Sequence, residues 1–264
     1  MKNSSPQTLL KQLAIQRRVI WALTMREVIT RFGREGIGTV WLLIEPAMFI
    51  LGVTVIFSHI EVATNYSIAE YFAVSYPTLI FWRNGSSRVT KSLEINRALL
   101  HHRPIRPIDI LYSRILLEFS GALAAFILLY LLFLGLGVCQ VPADLLGMAL
   151  GMILVLWFSF AFVLIMAALS ELSETIERLS HVITYLMLPF SGVFIPLFGI
   201  PEKYRHLLLL FPLVDAVEFF HHGYYGARIK TYYHINYTIF SLLALTLFSL
   251  ALTNIAIRKT HLQA

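Results

Sequence analysis

The sequence has little charge and almost no cysteine. Of its 264 residues, 14% are charged and 58% are hydrophobic. A soluble globular domain is nearer half apolar and a quarter charged, so this composition predicts a protein that sits in a membrane. The single cysteine, Cys139, excludes an intrachain disulfide and carries no information about the compartment.

The usual motifs of nucleotide binding, hydrolysis and metal binding are also missing. The chain contains no GxxxxGK, HExxH, GxSxG or CxxC pattern. The stretch "EFFH", Glu218 to His221, has the spacing of a di-iron helix, but a second such pair and further glutamates are not found. We therefore expect no catalytic residue, no metal ligand and no cofactor bound by this chain.

Long apolar segments, in contrast, are abundant. A helix needs roughly 20 residues to cross about 30 Å of hydrocarbon. Six segments are candidates, the second being the shortest: Gly38–Ser58, Tyr71–Trp82, Phe119–Val138, Leu145–Leu169, Val182–Pro201 and Ile235–Ile257. The sequence therefore predicts an all-α integral membrane protein with six transmembrane helices. Residues 1–264 form a single transmembrane domain, which leaves no room for a nucleotide-binding domain.

The distribution of lysine and arginine predicts the orientation, because these residues accumulate in cytoplasmic segments. They are frequent before the first span, in residues 83–114 and at Arg258 and Lys259, and absent from residues 58–67 and 135–147. Both termini are therefore expected in the cytoplasm. Residues 200–236, expected outside, depart from the rule with four basic residues: Lys203, Arg205, Arg228 and Lys230. Short loops offer no basic folded surface for nucleic acid.

The N-terminal segment, residues 1–36, is predicted to form an amphipathic helix. On a helical wheel, most of its apolar residues from Leu9 onward fall on one half, opposite Lys11 and Arg18. This pattern is typical of a helix lying in the headgroup plane. Its arginines have two open interpretations, attraction to anionic lipid or binding of a phosphate on the cargo. The candidate phosphate ligands are Arg26, Arg31 and Arg34.

Acidic residues in or near the predicted spans are also expected to have a structural or functional role. Glu45 lies inside the first span and precedes Pro46, which removes a backbone donor. A charge there costs a few kcal/mol, so it is expected either in an ion pair within the chain or in a direct transport role. Glu171, Glu174 and Glu177 are expected on one helical face after the fourth span. That face is either solvated or complements the basic segment between spans two and three.

Three stretches of the chain resemble a known transporter family. They are "TMREVITRFGREGIGTVWLLIEP" (Thr24–Pro46), "INRALLHHRPIRPIDILYSRILLEF" (Ile95–Phe119) and "FPLVDAVEFFHHGYY" (Phe211–Tyr225). Together they are similar to the membrane subunits of capsular polysaccharide ATP-binding-cassette (ABC) exporters, the KpsM and BexB group of Gram-negative bacteria. The resemblance runs from about Leu23 to the last span. Exporters of lipopolysaccharide O-antigen and of teichoic acid share the layout.

The resemblance implies an assembly in the bacterial inner membrane. Two copies of the chain form the channel, and two copies of a separate ATPase bind ATP and magnesium beneath it. A periplasmic adaptor protein is a further expected partner, and the expected cargo is an acidic, lipid-linked polysaccharide. The runner-up cargo is O-antigen or another lipid-linked glycan. A membrane-embedded glycan- or lipid-modifying enzyme should show clustered catalytic carboxylates or histidines, which the sequence does not show, and a passive pore is the third alternative.

The resemblance also implies a cytoplasmic coupling helix between spans two and three, which we place at residues 94–103. Leu99 and Leu100 supply apolar anchors there, and donors surround them: Arg97, His101, His102 and Arg103. Pro104 stops this helix, while Pro107 and Asp109 suit the first turn of the next one. Alternatively, the basic residues are only a positive-inside signal.

Residues 201–234 resemble the family's re-entrant periplasmic helices, which close the channel from outside. This segment is rich in aromatic side chains, whose rings stack on the apolar faces of sugars. The candidates for a channel or gate are Tyr204, Phe219, Phe220, Tyr224 and Tyr225. The competing interpretation is an ordinary interfacial aromatic belt.

Overall fold

The computed structural model describes residues 6–32, 37–57, 66–98 and 105–262, which are mainly helical. The helices are α1 (Pro6–Phe32), α2 (Ile37–Phe57), α3 (Ile68–Val89), α4 (Ser92–Ile95), α5 (Pro107–Gly135), α6 (Leu145–Leu172), α7 (Glu174–Leu186), α8 (Glu202–Leu209), α9 (Pro212–Tyr225) and α10 (Ile235–Leu262). Short 3₁₀ turns cover Pro189–Ser191, Leu197–Gly199 and Gly226–Arg228. The predicted all-helical class is confirmed for the described residues.

Three of the described helices, α5, α6 and α10, are long and apolar enough to cross a membrane. Helix α3 is longer than the segment Tyr71–Trp82 suggests, because polar residues extend it. The Ser67 hydroxyl caps its first turn by accepting a hydrogen bond from the Glu70 backbone N–H at 3.0 Å. Farther along, the Ser86 hydroxyl donates to the Trp82 carbonyl at 2.6 Å. Buried polar side chains therefore belong to this helix without facing lipid.

The fifth predicted span, Val182–Pro201, is not a continuous helix. Helix α7 ends at Leu186, and the chain continues through two 3₁₀ turns. Pro189 and Pro196 cannot donate a backbone hydrogen bond, and Gly192 has a φ of +73°, outside the helical region. The expectation of one continuous helix here is wrong, because these residues interrupt an otherwise apolar run.

The N-terminal helix α1 packs across the beginning of α5. Leu23 and Thr24 are buried there, and the Gln16 amide contacts the Asp109 carboxylate. Much of the predicted apolar half of α1 points away from the bundle, since Leu13 is 66% exposed and Trp21 is 60% exposed. This arrangement leaves an apolar face free for contact outside the chain, and its position in the headgroup plane stays a prediction.

Helix α6 is central and approaches α9 very closely. A Cβ atom added to Gly223 of α9 would lie 2.0 Å from the Met148 backbone nitrogen. One added to Gly151 of α6 would lie 2.4 Å from the Phe220 Cα atom. The two backbones are therefore in direct contact, as in other membrane helix pairs built on small residues.

Lys91 lies at one end of the helix bundle and Gln140 lies at the other. At the Lys91 end lie the end of α3, the start of α5, the end of α6 and the start of α7. At the Gln140 end lie the start of α3, the α5–α6 connection and the end of α9. These two ends carry the sites described next.

Candidate functional site

The chain turns sharply at Lys91, between α3 and α4. Lys91 has a φ of +55°, a left-handed conformation that is uncommon for a residue with a side chain. Its backbone N–H donates to the Ser170 hydroxyl at 3.2 Å. Its ammonium group lies 2.8 Å from the Glu94 carboxylate and 3.6 Å from that of Glu177. Helices α6 and α7 thus hold the turn from which α4 begins.

Glu171 fixes the first turn of α4. Its carboxylate accepts a hydrogen bond from the Leu93 backbone N–H at 2.9 Å. The Leu93 side chain is buried against Val89, Ile110 and Leu111. A charged acceptor at a helix N-terminus satisfies a donor that has no partner within the helix. The short helix is therefore tied to α6 by a polar contact and to α5 by an apolar one.

The Lys91–Glu94 ion pair shifts the pKa of each of its two groups in the direction that keeps that group charged. The hydrogen bond from Lys91 is the main reason that the pKa of Glu94 lies below its usual value. The same hydrogen bond raises the pKa of Lys91. Both groups are therefore charged at neutral pH. Solvent screens this pair, so it orients the turn more than it stabilises the fold.

A polar cavity of about 260 Å³ opens beside this turn. Its lining includes charged side chains from four elements: Lys91, Glu94, Arg97, Glu171, Glu174 and Lys259. Lys259 of α10 also donates to the Leu172 carbonyl at 2.8 Å, which closes the end of α6. The cavity thus joins the start of the predicted coupling segment to the C-terminal ends of α6 and α10.

The acidic residues after the fourth span do not share one helix. Glu171 belongs to α6, whereas Glu174 and Glu177 belong to α7, because the helix breaks at Ser173. The expectation that the three acids share one helical face is therefore wrong. Glu171 and Glu177 nevertheless contact the segment between α3 and α5, at Leu93 and Lys91 respectively. Glu177 thus pairs with a basic residue of this segment, as the complementary-surface interpretation expects, whereas Glu171 binds a backbone N–H group.

The Gln140 end contains a buried ionic network. The Glu70 carboxylate accepts hydrogen bonds at 2.9 Å from both the Tyr224 hydroxyl and the Arg228 guanidinium. The Tyr224 hydroxyl also lies 3.1 Å from the Gln140 backbone nitrogen and carbonyl oxygen. A buried charge needs such partners to offset its desolvation. The network joins α3, the α5–α6 connection and the end of α9.

Two further carboxylates of α9 hold the segment that leads into α10. Glu218 accepts from the Tyr232 backbone N–H at 3.0 Å, and Asp215 accepts from that of His234 at 3.0 Å. His221 lies 2.7 Å from the Ser75 hydroxyl through its Nε2 atom. The Glu218–His221 pair of the "EFFH" stretch therefore has structural partners. Among the described residues, no group of three or more metal-ligating side chains occurs.

Comparison with known proteins identifies the family. Residues 18–225 match the family described as ABC-2 type transporter. The chain belongs to the ABC-2 type transporter family. It is 34% identical over 247 residues to the capsule polysaccharide export inner-membrane protein CtrC of Neisseria meningitidis serogroup B, covering 92% of this chain and 93% of that protein. The resemblance inferred from the three stretches is confirmed.

Two further relatives have related names. The capsule polysaccharide export inner-membrane protein BexB of Haemophilus influenzae is 36% identical over 250 residues, covering 93% of this chain and 94% of that protein. The polysialic acid transport protein KpsM of Escherichia coli is 28% identical over 234 residues, covering 88% and 91% respectively. This ABC-2 transporter chain is therefore similar to these proteins over nearly their whole length.

The structure of this ABC-2 transporter covers only the start of the predicted coupling helix. Glu94 lies in α4, and Arg97 is exposed beside the cavity at the Lys91 end. The other coupling candidates lie outside the described residues: Leu99, Leu100, His101, His102 and Arg103. After the gap, α5 begins at Pro107, and the Asp109 carboxylate accepts from the Arg106 backbone N–H at 2.9 Å. That predicted helix start is confirmed.

The predicted phosphate ligands are described only in part in this ABC-2 transporter. Arg26 is exposed on α1, while the Arg31 side chain and all of Arg34 lie outside the described residues. Glu45 is half-buried in α2. The Arg83 guanidinium donates to the Tyr76 hydroxyl at 3.3 Å. A direct pair of Glu45 with a basic residue stays a prediction.

Most of the predicted gate aromatics are inside the fold of this ABC-2 transporter. Phe220, Tyr224 and Tyr225 are buried, whereas Phe219 is half-buried and Tyr204 is 55% exposed. In this conformation the three buried rings stabilise α9 and offer no face to a sugar. The sequence alone did not indicate Glu70, which organises the polar contacts at the Gln140 end, or Lys91, at which the chain turns into α4. An acid at the start of an apolar helix was the one available signal for Glu70.

Proposed function

We propose that this chain is the permease subunit of an ABC exporter that moves capsular polysaccharide across the bacterial inner membrane. The observation that carries this function is 34–36% identity to capsule export proteins over more than nine-tenths of both chains. Similarity of that extent includes the spans and both sites, so it supports a shared activity as well as a shared fold. The chain makes and breaks no bond, and it provides the path for the polymer.

The transport energy comes from a separate ATPase in this proposal. Two copies of the chain form the channel, and two ATPase subunits bind ATP and magnesium below it. The absence of a phosphate-binding loop in the sequence supports this division. A periplasmic adaptor completes the route. The arginines Arg26, Arg31 and Arg34 are proposed to meet the phosphate of a lipid-linked polymer at its cytoplasmic entrance, because guanidinium groups bind phosphate with charge-assisted hydrogen bonds.

The Lys91 end is the proposed contact with the ATPase. The turn at Lys91 and the anchored helix α4 lead directly into the coupling segment, residues 94–103. Movement of that segment would reach α6 through Glu171 and α7 through Glu177. The six-span layout, the cytoplasmic termini and the re-entrant outer segment of residues 201–234 belong to this proposal.

Loss of the apolar anchors Leu99 and Leu100 should separate the permease from its partner ATPase. We expect the double variant Leu99→Asp/Leu100→Asp to lose ATPase co-purification, because buried anchors usually dominate an interface and two charges there must be desolvated. The measurement combines co-purification with capsule display in the chain's own host, deleted for the wild-type permease. A matched control, Leu179→Asp, replaces an exposed leucine of α7 elsewhere on the surface.

The outcomes separate the candidate functions. Wild-type chain should restore capsule, and purified chain without the ATPase should hydrolyse no ATP. Restoration of O-antigen in place of capsule would assign the runner-up cargo. Polymer flux that continues when the ATPase is inactivated would instead indicate a passive pore. If the double variant still binds the ATPase and displays capsule, residues 94–103 are only a positive-inside signal.

A milder change at Glu171 should uncouple the two subunits without separating them. The variant Glu171→Leu removes the acceptor of the Leu93 N–H, and we expect about a tenfold loss of export, since a hydrogen bond to a charged group contributes about 1.5–3 kcal/mol. ATPase binding and permease abundance should persist. Glu174→Leu is the matched control, because Glu174 lines the same cavity at an exposed position. Equal export by both variants would argue against transmission through Glu171.

A further inference from the structure

A second cavity, of about 580 Å³, opens between α8, α9 and the segment that follows α9. Six of its lining residues offer either nitrogen donors or aromatic rings: Arg205, His206, His222, Tyr232, Tyr233 and His234. Sugar-binding sites commonly combine an aromatic face with polar groups that fix orientation. The composition of this cavity therefore suits a polar ligand with a flat apolar side.

One wall of the cavity is held rigidly by the buried carboxylates of α9. Glu218 and Asp215 accept the backbone N–H groups of Tyr232 and His234, as described above. Because these acids are occupied with the backbone behind the wall, they do not line the cavity. The side chains of residues 231–234 are thus presented on a fixed backbone. Pre-organisation of this kind lowers the entropic cost of binding.

Arg205 supplies a positive charge inside the cavity. Its Nε and Nη2 atoms donate to the Leu197 and Ile200 carbonyls at 3.1 and 2.9 Å. Its guanidinium carbon lies 3.9 Å from the centre of the Tyr232 ring. In the part of the chain that the structure describes, no carboxylate lies within 4.0 Å of this guanidinium. The group is held in place by neutral partners and keeps donors for an anion.

The surroundings add to this positive charge. Lys230 places its ammonium group 5.3 Å from the Tyr232 ring, and Lys203 precedes Arg205 on α8. Glu202 lines the cavity too, but its side chain is 83% exposed at the rim and lies 3.9 Å from His206. This basic segment is also the one that departs from the positive-inside distribution. Arg228 of that segment already pairs with Glu70, whereas Arg205 is available to pair with a ligand of negative charge.

We propose that this cavity is a binding subsite for carboxylate-bearing sugars of the exported polymer, on the outer side of the membrane. The sugar carboxylate binds Arg205, its hydroxyl groups bind the histidine side chains, and its apolar face packs against the tyrosine rings. The inference rests on the proposed function, since it gives the polymer a contact at the exit. An acidic polymer held briefly there is less free to slip back into the channel.

The test measures binding of an acidic oligosaccharide to the purified permease–ATPase complex. The probe is a fluorescently labelled sialic acid tetramer, with maltotetraose as the neutral sugar and short-chain phosphatidylglycerol as the anionic lipid. We expect the acidic sugar to bind and both competitors to fail. Arg205→Gln should weaken binding about tenfold or more, which corresponds to the loss of one charge-assisted hydrogen bond. His181→Ala, an exposed change on α7 away from the cavity, should bind as wild type.

Because Arg205 also holds two backbone carbonyls, a second variant keeps the test decisive. His222→Ala/His234→Ala leaves Arg205 and its two carbonyl contacts unchanged, and it should still weaken binding several-fold. Equal affinity of this variant and wild type, equal binding of maltotetraose, or displacement by phosphatidylglycerol would each overturn the proposal. Wild-type capsule display is unaffected by these results, so the proposed function stands or falls separately on restoration of capsule.

Discussion

Replacement of Gly223 by alanine is expected to destabilise the protein markedly. The new Cβ atom would lie 2.0 Å from the Met148 backbone nitrogen and 2.5 Å from the Gly147 carbonyl carbon. Backbone atoms cannot rotate away as a side chain can, so α9 must move off α6. Overpacking typically costs about 1–3 kcal/mol. The intrinsic helix preference of alanine returns at most about 1 kcal/mol, which offsets only part of the cost expected where the clash is with backbone atoms.

The measurement for Gly223→Ala is the midpoint of thermal unfolding in detergent, together with the amount of protein in the membrane. A loss of several degrees is expected for a chain of this size. Gly52→Ala is the matched control, since Gly52 also lies inside a helix but has no neighbour within 4 Å of the added atom. That variant should be unchanged or slightly more stable. Equal midpoints for the two variants would show that the α6–α9 contact is looser than described.

Removal of Arg228 is expected to have an effect of similar or larger size. Glu70 is buried, and among the described residues its carboxylate would keep only the Tyr224 hydroxyl as a partner. Breaking a buried ion pair from one side typically costs about 3–5 kcal/mol, because the remaining charge stays desolvated. We therefore expect Arg228→Met to lower both the unfolding midpoint and the amount of folded permease. Lys230→Met, two positions along at an exposed site, should change neither.

A double variant distinguishes the cause. Glu70→Gln/Arg228→Met removes both charges, so most of the lost stability should return even though the ion pair is absent. Failure of the double variant to recover would mean that Arg228 acts through its contacts with the Tyr224 and Tyr225 rings, which lie 5.4 and 5.2 Å from its guanidinium carbon. The unfolding midpoint of each variant, compared in one detergent, decides between these explanations.

The parts of the structure that depend on local sequence could be predicted, and those that depend on distant contacts could not. The start of α5 follows from Pro107 and Asp109, which act within one helical turn. The length of α3 could not be read from hydrophobicity, because two of its serines, Ser75 and Ser86, are buried by packing against other helices. The prolines of Val182–Pro201 indicate the break in this segment. A prediction made from apolar composition alone does not detect such a break.

The candidate sites show the same division. Glu70 and Arg228 are 158 residues apart, and no local pattern indicates that they meet. The role of Glu171 was open between solvation and contact, because its acceptor function depends on where the chain turns at Lys91. For the aromatic residues, spacing gave no indication that Tyr224 and Tyr225 would be enclosed while Tyr204 stayed exposed.

The contacts of α6 at its two ends have a consequence for the timing of transport. This helix has 28 residues and no proline, so it is about 42 Å of unbroken rod. Glu171 ties one end to the turn before the proposed coupling segment, and Gly151 packs the other end against α9. A continuous helix held at both ends connects the two sites by one rigid element. For the proposed exporter, we therefore expect residues 201–234 to move in the same step as each ATP hydrolysis by the partner ATPase, so that export advances in discrete increments set by ATP consumption.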